Sequence, residues 1–184
     1  MAFNAYLVFA PKAKDIQGES TSHLFEGKGA IEISDYGFAA AMPVTTSRSD
    51  GGGATVGRAN FEAFTCNKNI DTATPKLVEY CCLGKNIEKV FLHLYRAGDE
   101  SEANKTGAVK YAMVVFKHCV VTKVGISGGG EELPKESLEF NYGVCEYHYR
   151  KTHHETGEPD KEVKKFGWST VNNKVHSDLE DLTA

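Results

Sequence analysis

The sequence predicts a mainly β fold, a small sandwich or barrel carrying one short helix, and two observations lead there. Seven segments are rich in β-branched or aromatic residues and bounded by turn-forming stretches, while a single segment combines helical spacing with helix-end residues. Seven strands point to sheet packed on sheet or to a barrel. The length of 184 residues suits one domain and is enough to bury a core.

Residues 3–9 open the fold, with Phe3, Ala5, Leu7 and Phe9 alternating against Asn4, Tyr6 and Val8. Residues 31–38 form a second strand. Its apolar positions slip from Ile31 and Ile33 to Tyr36 and Phe38, so a bulge near Ser34 and Asp35 should bend it. Residues 59–66 read as the third strand. A helix is expected between Pro75 and Leu83, where Thr74 suits the cap, Pro75 tolerates the first helical position and Gly84 suits the closing turn. Leu77 with Cys81, and Val78 with Cys82, would form its buried stripe. Strands follow at 87–96, 111–123, 138–149 and 166–171. Met113, Val115 and Cys119 share one face of the fifth strand, and Val114, Phe116 and Val120 the other, so both faces need a cover. Along 138–145, Leu138, Phe140, Tyr142 and Val144 alternate with Glu139, Asn141, Gly143 and Cys145, the pattern of a half-buried strand.

Charge and cysteine content narrow the function. Lys plus Arg number 21 against 25 Asp plus Glu, a net charge of -4 without a basic stripe, which argues against nucleic acid as a partner. Cys66, Cys81, Cys82, Cys119 and Cys145 form no C-x-x-C pair and read as reduced, buried thiols rather than disulfides or zinc ligands. No apolar run reaches the roughly 20 residues of a membrane helix, and the N-terminus lacks the order of a secretory signal, so synthesis in the cytoplasm without membrane insertion is expected. Residues 1–175 are expected to form the domain and 176–184 a short acidic tail. Residues 150–165 read as a polar connection. Residues 43–57, rich in glycine and small polar residues, are too long for a tight turn, and long ordered loops often bind something.

Several motif-like stretches fail on context. Gly52 to Ala59 has phosphate-loop spacing, but Arg58 stands where lysine should, Ala59 where a hydroxyl should, and a strand follows instead of a helix. Gly125, Ser127 and Gly129 match G-x-S-x-G but lead into another strand, not the strand-to-helix elbow of a hydrolase. His153 and His154 are adjacent without a third ligand at metal spacing, and His93, His118 and His148 sit singly in strands. Glu131 with Glu132, and Glu158 with Asp160, have no apolar neighbours to raise a pKa. No catalytic, cofactor-binding or metal-binding residue is assigned, and the chain is not expected to be an enzyme.

What remains is a series of short stretches in a fixed order. Residues 15–20, DIQGES, are followed by Ile31-Glu32-Ile33 with Tyr36 and Phe38, then Gly57-Arg58-Ala59-Asn60-Phe61 and Asp71-Thr72-Ala73-Thr74-Pro75-Lys76-Leu77. Arg96-Ala97-Gly98, Phe116 with Val120 and Val121, Pro134 with Glu136 and Leu138, and Phe166-Gly167-Trp168 with Asn173 and Lys174 complete the set. In this order they resemble the haemolysin-coregulated protein family, Hcp, the tube subunits of bacterial type VI secretion. The resemblance runs from Phe3 to Val175. Pro11-Lys12-Ala13-Lys14 and the tail depart from the pattern, and Phe38 stands where many relatives carry Trp.

The resemblance implies a small β-barrel or sandwich of two antiparallel sheets with the helix packed on its side. It also implies a homohexameric ring that stacks into a tube, with the spike protein, the contractile sheath and small effector proteins in the lumen as partners. The loop bearing Thr46, Ser47, Arg48 and Asp50 would reach the next ring and govern stacking. Such a subunit leaves the cell through the secretion machine without a cleaved signal peptide. A monomeric β-sandwich module that binds a ligand is the alternative reading of the same strands and loops.

Overall fold

One strand of twenty residues, shared by two halves of the sheet, sets the architecture. In the computed structural model, which describes residues 3–10, 15–25, 29–44, 57–97, 107–129, 133–153 and 158–182, the strands are β1 (Phe3–Ala10), β2 (Ile31–Ile33), β3 (Asp35–Gly37), β4 (Ala40–Ala41), β5 (Asn60–Phe61), β6 (Phe64–Asn69), β7 (Asn86–Ala97), β8 (Ala108–Ser127), β9 (Lys135–Asn141), β10 (Val144–Thr152), β11 (Pro159–Ser169) and β12 (Lys174–Val175). Helix α1 (Thr74–Leu83) joins β6 to β7, and a 3-10 turn covers His23–Phe25. The first part of β8 lies between β7 and β10 in the order β12-β11-β10-β8-β7-β1-β2, and its last part pairs with β9, which leads on to β6 and β3. Every described pairing is antiparallel. The fold is therefore of the predicted class, with a ten-stranded sheet and a separate ribbon of β4 and β5. The described residues do not close into a barrel by pairing.

Both arms bury their inner faces in one core. Ala5, Leu7, Ile31, Leu92, Val114 and Phe116 come from one arm, and Phe64, Cys66, Leu138 and Phe140 from the other. The bend expected near Ser34 is present: β2 pairs with β1 in one arm, the chain turns at Ser34, and β3 pairs with β6 in the other. The Ser34 N–H donates to Asn67 O at 2.8 Å, so the bend also tacks the arms together.

Helix α1 ends as expected, with Gly84 at φ 60 and its N–H turned back to Cys81 O. Its start differs. Ala73 holds the cap position, the Ala73 N–H donates to Asp71 Oδ1 at 3.0 Å, and the Thr74 hydroxyl is drawn into a buried ionic network instead. Leu77, Tyr80 and Cys81 face the core, but Val78 and Cys82 are exposed, so the second expected pair is on the solvent side.

Three strand readings change for stated reasons. Residues 138–149 split into β9 and β10 at Tyr142 and Gly143, where the Gly143 N–H is taken by Lys117 O at 2.9 Å. Residues 59–66 divide between the ribbon and the main sheet. The polar stretch 150–165 is largely a continuation of the β10–β11 hairpin, polar because most of its residues are solvated. In β8 the positive φ of 57 at His118 turns the strand over while its register with β7 is kept, so Cys119 joins Val114 and Phe116 in the core rather than Met113 and Val115.

Helix α1 also packs on the core side, where Leu77 and Tyr80 meet Cys119 and Val121. Met113 and Val115, on the opposite face, are covered by Leu182 from the C-terminal segment.

Candidate assembly surfaces

The residues singled out for ring stacking, Thr46, Ser47, Arg48 and Asp50, lie outside the described residues. The neck of their loop is described. Ala40 pairs with Phe61 and Ala41 with Asn60, then the Gly57 N–H donates to Pro43 O at 3.0 Å. A Cβ at position 57 would meet Pro43 Cγ at 2.9 Å, so glycine permits this closure. Beside it the Arg58 guanidinium donates to Thr170 O and, at 3.2 Å, to Val171 O, which ties the neck to the turn after β11. Arg58 thus clamps the neck to that turn.

A second surface lies on β10 and β11. Cys145 packs in the core, and the same face of β10 continues to Tyr147 and Tyr149, both exposed. Tyr147 is in register with Phe166, itself 54% exposed, and Phe166 stacks toward Trp168 with centroids 6.4 Å apart. Phe61 lies on Trp168 at 6.5 Å and extends the aromatic row to the ribbon. This strip is the inner face of one arm running on past the cover of the other. Elsewhere, Ile126 near the end of β8 and Leu133 just before β9 are also exposed.

The outer face of β7, β8, β10 and β11 is crossed by residues 176–182. Lys117 Nζ contacts Glu146 Oε1 at 2.6 Å and Glu180 Oε1 at 3.4 Å, and Lys89 Nζ reaches Glu180 Oε1 at 2.7 Å. Burial opposes the charge of Lys117, but the Glu146 and Glu180 carboxylates outweigh it and raise its pKa. Burial likewise opposes ionisation of Glu146. Bonds from His148, Lys117 and the Glu180 N–H prevail and bring its pKa down to about 2. A carboxylate depressed on folding stabilises the protein above its unfolded value near 4.5, and that stabilisation is lost as pH falls toward 2. The stability difference between the parent and Glu146→Gln, measured by urea unfolding, should accordingly shrink by about 3 kcal/mol from pH 7 to pH 2. An unchanged difference would place the proton elsewhere.

Among the described residues the motif-like side chains lie apart from one another. The Ser127 hydroxyl is exposed at the end of β8 and meets Lys135 O at 3.5 Å. His93 and His148 are buried in separate strands, and His118 is exposed where β8 takes a positive φ. His153 sits at the β10–β11 turn, while His154, Glu131 and Glu132 lie outside the described residues. Among the described residues no group of three His, Cys, Asp or Glu is arranged to hold a metal. Burial pushes the Cys66 and Cys145 thiols up to about 12 and raises Cys119 as well, so all three stay protonated and inert.

Two features are not legible in the sequence. The aromatic strip is signalled by Tyr147, Tyr149, Phe166 and Trp168 at period two, but a period cannot tell a covered face from a bare one. The docking of residues 176–182 has no signal, because its anchors are lysines of distant strands.

Comparison with known proteins places these surfaces in context. A family model described as "Type VI secretion system effector, Hcp" matches residues 11–149. Protein hcp1 of Pseudomonas aeruginosa is 28% identical over 117 residues, covering 63% of this chain and 68% of that protein. A solved type six secretion system protein superposes with a TM-score of 0.80 at 25% identity, covering 95% of this chain and 100% of the other. Hcp1 from Salmonella typhimurium shares the fold with a TM-score of 0.69 at 22% identity, over 96% of this chain and 100% of its own.

Proposed function

Because the chain belongs to the Hcp family of type VI secretion system proteins, we propose that it is a tube subunit, closing as a homohexamer into rings that stack. The observation that carries this reading is the presence of two unlike apolar surfaces on different parts of the sheet. One is the Tyr147, Tyr149 and Phe166 strip, and the other is the pair Ile126 and Leu133. A head-to-tail contact needs two different patches on each copy, and it yields a ring when the rotation between neighbours closes. Exposed aromatic residues suit such a contact because they bury large area at few rotamers.

Size-exclusion chromatography with light scattering should give six times the chain mass, and Phe166→Glu with Tyr147→Glu should give single chains that remain folded. A wild-type chain that runs alone at high concentration would favour the ligand-binding module instead. We assign stacking to the segment of Thr46, Ser47, Arg48 and Asp50, whose described flanks meet where the Gly57 N–H donates to Pro43 O. Deleting residues 46–53 should leave hexamers but shorten tubes in electron micrographs, and tubes of unchanged length would remove the loop from stacking.

In this reading the spike protein and the contractile sheath are the partners at the tip and around the tube, and the sheath supplies the work. Small effector proteins travel in the lumen, and the subunit leaves the cytoplasm with the machine, without a cleaved signal peptide. The subunit itself performs no chemistry.

A further inference from the structure

The C-terminal segment sits on the sheet as a bound peptide would. We propose that the outer face of β7, β8, β10 and β11 is a docking groove for an extended acidic peptide of Glu-x-Leu type carried by a partner protein, and that residues 178–182 are its resident occupant. The groove reads the main chain at alternate positions. Lys117 donates to Asp178 O at 3.1 Å, Lys165 to Glu180 O at 3.1 Å and Lys110 to Leu182 O at 2.9 Å. Because the three contacts are to main-chain carbonyls, they do not depend on which side chains the bound segment carries.

Side-chain choice within the Glu-x-Leu stretch comes from two positions, and Leu179 before it sits over Gly167, where a Cβ would meet its Cδ2 at 2.5 Å. Glu180 is held by Lys89 and Lys117, and its own N–H donates to Glu146 Oε2 at 2.9 Å. Leu182 is 5% exposed and packs on Phe91, Met113 and Val115. Between them the Asp181 side chain is 84% exposed and touches only the Lys165 ammonium among its described partners. The pattern selected is thus an acid, a free position and a leucine, and four lysines supply the complementary charge.

Beyond the two ladder pairs of β12, Trp168 with Val175 and Ser169 with Lys174, and the bond from the His176 N–H to Gly167 O at 2.9 Å, no strand pairing fastens the occupant among the described residues. Its hold is otherwise made of lysine bonds to its carbonyls and the partly buried pairs of Glu180 with Lys89 and Lys117, contacts that a second peptide of the same pattern can make in its place. An empty groove would show Met113 and Val115 to water, so one acidic peptide must replace another.

The test uses the full chain carrying Glu180→Lys and Leu182→Asp, whose own segment no longer fits, and a fluorescein-labelled peptide of residues 176–184. Polarisation should report saturable binding of one peptide per chain, and wild type should bind at least about 10-fold more weakly because its tethered segment competes. The peptide with the same two substitutions should not bind. Equal binding by the two chains, absence of binding, or another stoichiometry such as one peptide between two chains overturns the proposal. If the variant fails to fold, a protease site inserted after Val175 is cleaved in the folded chain. The severed segment should then exchange with about a hundred-fold excess of labelled peptide, and its retention overturns the proposal.

Discussion

Lys68→Ala should destabilise the protein by about 3–5 kcal/mol, because it strands buried carboxylates without their cation. Lys68 and Glu136 are both fully buried, 3.2 Å apart on neighbouring strands, and Lys68 also meets Asp71 Oδ1 at 2.7 Å. Its remaining donors go to Asn69 O at 3.0 Å and Thr74 Oγ1 at 3.2 Å, so the ammonium is fully satisfied within the protein. The Thr74 hydroxyl in turn donates to Glu136, and the Asp71 carboxylate accepts the Ala73 N–H at 3.0 Å. One cation thereby fixes β6 to β9 and sets the entrance of α1.

The same network predicts how the loss can be repaired. A buried pair contributes little net stability once its desolvation is counted, whereas breaking it is costly. Lys68→Met combined with Glu136→Leu should therefore recover most of the stability lost by Lys68→Ala. Urea unfolding of the single and double variants gives the coupling directly. A cost below about 1 kcal/mol for Lys68→Ala would mean that the site is neutral or hydrated.

This network also shows what the sequence could and could not disclose. The stretch Asp71 to Leu77 reads as a helix entry, and its residues divide the work of making one. Asp71 accepts the N–H of the cap residue Ala73, Ala73 and Leu77 pack without exposure, and Pro75 opens the first turn. Lys68 is silent, since a lysine in an alternating strand reads as a solvent position even when its register points inward. Period two locates the bend at Ser34 because the bulge shifts apolar residues visibly. At His118 a change of face goes unseen, because both faces of β8 are apolar and the switch leaves no mark in hydropathy. Leu138 to Val144 keep perfect alternation through a turn, so β9 and β10 read as one strand. Surfaces made by distant segments, such as the aromatic strip and the groove under Leu182, depend on which faces end up covered, and that is a property of the assembled sheet.

Phe64→Ala should cost a comparable 3–5 kcal/mol, by roughly the amount measured for large aromatic truncations in cores. Phe64 is fully buried on β6 and packs against Phe140 of β9 at 4.7 Å and Phe116 of β8 at 5.1 Å, with Phe38 and Tyr36 at 6.4 Å. These rings come from both arms of the sheet, so the cavity would open at the seam where the arms face each other. For a chain of this length such a loss lowers the melting temperature by about 6–20 °C. Phe64→Leu keeps much of the volume and should cost about 1–2 kcal/mol. Because β6 and β9 hold the second arm in place, the truncated protein should also lose ring assembly at a temperature below its own melting point. Light scattering during a thermal ramp would reveal that order, and simultaneous loss of mass and fold would show that the seam and the ring contact are one cooperative unit.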